Sequence, residues 1–211
     1  MKTIPLHFIA IRTILISLFL SVVSCQKASF HDAPFSDTTN SKFLFRSQVI
    51  ETDVLAYGQW MIDYVMPLAE DEAVYSDLTS GFQHSALVTA KLISLGFADF
   101  NDFSQQLLAI SSPVTTALNA SEITVEEIEQ ILNQQIGLLD FSSLSDAPAE
   151  GIGMYLPCYE ELMLNLTLAV AEIAVAAVAG PVAATVAGVI MVGYAYLSFK
   201  RCLKEQYPNG Q

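Results

Sequence analysis

The chain predicts an all-α fold: an irregular helical bundle of about six helices closed by a C-terminal apolar αα-hairpin, with little or no sheet. Three observations predict it. In the first half of the body, apolar residues return at steps of three and four. No segment holds a period of two long enough to make a strand. After Cys158 the composition shifts to Ala, Val and Gly, and 27 residues from Ile173 to Phe199 carry no charge.

The first helix is read from Ile50, Val54, Tyr57, Met61, Tyr64 and Leu68, with Glu51, Thr52, Gln59 and Asp63 on the opposite side. Pro67 is expected to end or kink it, because proline lacks the N–H that a helix interior uses. A second helix is expected from about Gly81 to Leu95. Its predicted inward residues are Phe82, Ala86, Ala90 and Ile93, and Gly96 supplies the left-handed stop. A third starts near Asp99 to Asn101 and carries Phe103, Leu107 and Ile110. Ser112-Pro113 then reads as an N-cap with Pro at the first position of a short helix to about Leu118. Thr124-Val125-Glu126-Glu127 is a capping box, flanked by the hydrophobic staple pair Ile123 and Ile128, and opens a helix to about Leu139.

The C-terminal segment has an internal symmetry. Gly180-Pro181 interrupts the apolar run, and Gly180 lies 22 residues from both Cys158 and Cys202. Two arms of about 20 residues, each roughly 30 Å long, would fold back there and bring the cysteines together. Gly suits a helix stop and Pro the first turn of the next helix. A disulfide between Cys158 and Cys202 is therefore expected if the chain is exported. Ala176, Gly180, Ala184 and Gly188 recur every four residues, which favours close helix approach. Glu161, Asn165 and Glu172 give the first arm a narrow polar stripe.

Three fates for this segment follow. It can be the buried centre of the bundle, covered by the amphipathic helices upstream. Ile173 to Phe199 can span a membrane, with Lys200, Arg201 and Lys204 on the cytoplasmic side. Or the hairpin can be buried in a soluble form and insert into a membrane. In composition, Leu166 to Leu197 resembles the apolar helical hairpin of pore-forming colicins. The first reading leads, because the upstream helices need an apolar partner.

The N-terminus carries an address. Lys2 and Arg12 are the only charges before Cys25, and Thr13 to Val23 is apolar and of signal-peptide length. Val22-Val23-Ser24-Cys25 resembles the lipobox of bacterial prolipoproteins. The resemblance implies removal of residues 1–24 and lipidation of Cys25, with membrane lipid as the partner. Gln26 in place of Asp implies an outer-membrane, periplasm-facing location over the inner membrane. Residues 25–41 then read as a flexible tether, the stretch from Gln26 reaching roughly 20–25 Å. The amphipathic region spans 42–139, a connecting loop 140–157, and the cysteine-framed hairpin 158–205, packed with 42–139 as one domain.

Composition narrows function. All 22 carboxylates fall after the leader against seven Lys and Arg, so the mature chain of 187 residues has a formal net charge of −15. That charge argues against a nucleic-acid partner. Glu70-Asp71-Glu72 lacks calcium-loop spacing and reads as a solvated turn. No catalytic residue, metal site or cofactor is expected. His84 is the single histidine of the body, expected at a helix surface, and no Cys-x-x-Cys, Gly-x-Ser-x-Gly or phosphate loop occurs. Tyr57, Trp60 and Tyr64 could line a ligand groove, although packing is the commoner meaning of such a stripe. The expected function is a non-catalytic, lipid-anchored envelope lipoprotein with a binding or assembly role, an envelope protein being the further partner it allows. The alternative is a membrane-embedded or membrane-inserting protein, bacteriocin-like or immunity-like, using residues 162–199.

Overall fold

The computed structural model of the chain describes residues 40–144 and 156–206. The leader, Cys25 and the tether to residue 39 lie outside the described residues, as do residues 145–155 of the connecting loop. Every regular element described is a helix, as the periodicity predicts. The helices share one continuous apolar core.

Helix α1, Asn40–Trp60, runs through a π-helical turn, Met61–Val65, into α2, Met66–Glu70. Pro67 does not end this helix. The π turn widens the backbone one step before the proline, with the Met66 N–H donating to the Met61 carbonyl. Pro67 then sits in the first turn of α2, where no N–H is demanded. The added residue also rotates the helix face. Met61, Ile62, Val65, Met66 and Leu68 are all fully buried, so this stretch is enclosed on most sides.

Asp71 breaks the chain and caps α3, Glu72–Thr79, by accepting from the backbone N–H groups of Ala73 and Val74 at 3.1 and 3.2 Å. Helix α4, Ala86–Ser94, departs from expectation. It begins five residues later, because Gly81 adopts a φ of +90° and Ser85 accepts from the Val88 N–H as N-cap. Its buried residues are Val88 and Leu92, while Phe82 is 63% and Ile93 58% exposed, and Ala86 and Ala90 face outward too. The predicted inward face is the outward one. Both faces of this segment are apolar at steps of three and four, and packing against the core selects the other.

Helix α5, Phe100–Asn119, is one helix where two were expected. Pro113 lies inside it and Ser112 is not a cap. Pro113 and Ala109, whose carbonyl loses its helical donor, both sit on the exposed side, where water can serve that carbonyl. Helix α6, Val125–Gln134, opens on the predicted capping box: the Thr124 N–H donates to Glu127 at 2.7 Å and the Glu127 N–H to Thr124 Oγ1 at 3.1 Å. A 3₁₀ turn, Ile136–Leu138, completes the stretch.

Helices α7, Leu156–Ala176, and α8, Pro181–Gln206, form the central pair. On one side α2 and α3 pack on α8, on the other α6 packs on α7, and α5 touches both arms.

Candidate functional site

The hairpin is closed at its base and turned at its tip by the residues its sequence singles out. The Cys158 and Cys202 sulfurs lie at disulfide distance, 2.01 Å, with Cα atoms 5.6 Å apart. Phe141, Tyr159 and Phe199 pack around this end, the ring centroids of successive pairs 4.7 and 4.9 Å apart. At the tip, a 3₁₀ turn over Ala177–Ala179 leads to Gly180, whose φ of +112° reverses the chain. The left-handed region favours glycine because a Cβ would clash there. Pro181 opens α8.

Side-chain hydrogen bonds, among them the following, tie the arms to the helices around them. Ser104 of α5 and Thr185 of α8 pair through their hydroxyls at 2.6 Å. Tyr57 donates to the Leu166 carbonyl at 3.2 Å, Tyr75 to the Ile190 carbonyl at 3.1 Å, and Tyr196 to Glu70 at 2.8 Å. Full burial of Tyr57 pushes its hydroxyl pKa far above the ordinary tyrosine value. Two glycines allow the close approach. A Cβ on Gly188 would meet Ile173 Cδ1 at 2.9 Å, and one on Gly193 would overlap the Tyr75 ring.

The polar stripe expected on α7 is narrower still. Glu161 is exposed, but Asn165 is buried and donates back to the Glu161 carbonyl at 2.8 Å. Glu172 is half-buried, and burial raises its carboxyl pKa above the usual glutamate range.

The outer face of the hairpin is apolar. On α8, Val182, Val186, Ile190, Tyr194 and Leu197 follow at helical steps. Val182 is 47% and Tyr194 58% exposed, with Ile190 and Leu197 also exposed and Val186 partly covered. At the tip Val178 is 92% exposed. Arg201 and Lys204 continue the same face beyond Leu197 and are exposed. This face eluded the sequence reading. Its steps of four, four, four and three are present in the chain, but a helix that is apolar all round hides which of its stripes is outward.

The other sequence candidates take structural roles. Trp60 and Tyr64 are half-buried. They join Phe97 and Phe103 in an aromatic cluster with centroid separations from 5.1 to 6.1 Å. His84 sits in the turn before α4, exposed, with its ring edge against Phe100. In the run Glu70-Asp71-Glu72, Glu70 receives the Tyr196 hydroxyl and Asp71 caps α3. Asp99 caps α5, and Asp102 accepts from the Ala98 N–H at 2.8 Å, which lowers its pKa. Among the described residues, no three His, Cys, Asp or Glu converge as metal ligands. A shallow depression on the outer side of α6 is lined by Glu126, Glu129, Gln130, Asn133 and Gln134.

Set against known proteins, the chain matches no family model, no curated protein and no solved structure.

Proposed function

We propose that the chain is a non-catalytic, lipid-anchored lipoprotein of the bacterial envelope, held by lipidated Cys25, whose helical body binds or assembles through the hairpin. The carrying observation is the uncovered apolar face of α8 and the hairpin tip, a longer run than the exposed Phe82, Leu87 and Ile93 about α4 and one that ends in the exposed Arg201 and Lys204. The acidic residues support the absence of catalysis: Asp71, Asp99, Asp102 and Glu127 are engaged in capping helices and turns. The lipobox and the position of Gln26 support an outer-membrane location facing the periplasm.

The membrane-embedded alternative keeps one observation in its favour. Leu156–Ala179 and Pro181–Gln206 are long and apolar enough to cross a bilayer. About half of each apolar window is buried within the bundle, 44% and 50%, which favours the bundle reading.

Two measurements test the proposal in the producing bacterium. An alkyne-tagged fatty acid should label the parent chain and leave Cys25→Ala unlabelled. A protease site introduced between Gln26 and Thr39 should, once cut, release the body into the supernatant in alkaline carbonate. No label sinks the anchor, and a body that stays with the pellet sinks the bundle reading in favour of the embedded one.

A further inference from the structure

We infer that the outer face of α8 is a lipid-contact surface: Val182, Val186, Ile190, Tyr194 and Leu197 lie in the membrane that holds the acyl chains of Cys25, and Arg201 and Lys204 meet its phosphate headgroups. The inference rests on the anchor proposed above and names what the apolar face binds.

Three features select lipid over a protein partner. The first is order along one face. From Val182 to Leu197 the stripe carries no charge over 15 residues, about 22 Å of helix. Tyr194 lies toward its far end, and Arg201 and Lys204 follow on the same face. Apolar length, then an aromatic with a polar tip, then cations is the order that an interface between acyl chains and headgroups demands. Long basic side chains can lay their methylenes on the apolar layer and keep their charge at the phosphates.

The second is charge complementarity. The mature chain is strongly acidic, which repels an anionic surface, but three of its seven cations, Lys200, Arg201 and Lys204, cluster at this end of α8. The exposed Glu205, and Glu160 and Glu161 across the disulfide, share that end, so the cations act as a local pair on the outer face and not as a net positive patch. Lys200 packs over the Tyr196 ring at 5.4 Å, which leaves Arg201 and Lys204 as the pair on the outer face.

The third is reach. Fourteen residues, and so fifteen Cα–Cα steps, separate Cys25 from the start of α1 at Asn40. Fully extended they span at most about 50 Å. Helix α8, with 26 residues, is about 39 Å long. The tether thus lets any side of the body reach the surface that anchors it, and the long cation-ended stripe of α8 decides which side stays.

The test uses the full chain reconstituted in vesicles of phosphatidylethanolamine and phosphatidylglycerol, with or without brominated acyl chains. Tyr194→Trp places a reporter on the stripe, and the parent chain, with Trp60 in its aromatic cluster, gives the background. A second variant, Val182→Asp/Ile190→Asp, puts charge at exposed positions that leave the core intact. Each aspartate at acyl depth should weaken lipid partitioning of the face by roughly 100-fold. Circular dichroism checks that each variant is folded. The expected result is quenching of Tyr194→Trp emission by brominated chains, its loss when the two aspartates are added, and flotation of every variant with the vesicles through Cys25. Flotation without quenching overturns the lipid contact and leaves the anchor standing. Quenching with no flotation of the aspartate variant keeps the contact and overturns the anchor. Neither quenching nor flotation overturns both. A protein, or a second copy of the chain, on this face is the meaning of an unquenched reporter on a floating chain.

Discussion

Removing the staple at the base of the hairpin tests the central element most directly. Cys158 and Cys202 are 44 residues apart. Closing a loop of that length removes about 13 cal/mol/K from the unfolded chain, or ~4 kcal/mol at 25 °C. Two effects move that figure. The apolar arms retain some mutual contact when unfolded, which lowers it. Cys158 is fully buried, so losing its sulfur opens a small void, which raises it. The replacement is Cys158→Ala/Cys202→Ala, because serines would bury hydroxyls without partners. The expected loss is about 2–4 kcal/mol. With a urea slope of about 2 kcal/mol/M, the midpoint falls by roughly 1–2 M. The slope should rise as well, since an uncrosslinked chain exposes more surface on unfolding. The assay is urea unfolding by circular dichroism of the parent chain, the parent with reductant, and the double variant. Reductant should reproduce the variant. A midpoint shift below about 0.3 M with an unchanged slope would refute the staple, because no constraint on the unfolded chain would have been removed.

Two further outcomes follow from the packing of the hairpin. Gly193→Ala forces the Tyr75 ring aside and breaks its bond to the Ile190 carbonyl; thermal unfolding should show a loss of about 1–3 kcal/mol, while Gly137→Ala, where an added Cβ meets nothing within 4 Å, loses none of this. Glu172 has a folded pKa above its ordinary value of 4.5, so its contribution to stability is complete below that value and is lost as pH rises through the raised one; Glu172→Gln should flatten that part of the stability profile and raise stability at neutral pH, and an unchanged profile counts against burial as the cause.

Where a signal is local, the sequence could be read directly. Thr124 and Glu127 satisfy each other's backbone within one turn, so α6 begins where the motif says. Gly180-Pro181 needs no partner to turn the chain, and the equal distances to Cys158 and Cys202 put the sulfurs together. Where two answers fit locally, the reading failed. Phe82, Ala86, Ala90 and Ile93 make as good a helical face as Val88, Leu92 and Leu95, and only the neighbours of α4 decide between them. Pro113 has the local signature of a helix start, yet α5 carries through it because the released carbonyl faces water. Pro67 is absorbed by a π turn, which no one-residue propensity anticipates.

The outer face of α8 is the remaining difference between what folding requires and what the chain contains. Its inner face is fully explained: Ala184, Gly188, Val192, Ala195, Tyr196 and Phe199 fill the space among α2, α3, α5 and α7. The other helices show how this chain treats solvent. Exposed positions of α5 are mostly polar, Asn101, Gln105, Gln106, Ser112, Thr116 and Asn119 beside Ala109 and Pro113, and those of α6 are Glu126, Glu127, Gln130 and Gln134, whereas α4 and α7 also expose Leu87, Ile93, Leu164 and Val175 singly among other residues. Polar residues on α8 would cost the core nothing, since Val182, Ile190, Tyr194 and Leu197 lie away from it. They would also remove an aggregation hazard, because contiguous exposed apolar surface invites association. Folding alone therefore gives no reason for these four side chains. The return of polarity on the same face at Arg201 bounds the apolar stretch to one length of helix, and a bounded stripe ending in cations is a surface with an orientation, which random apolar exposure lacks.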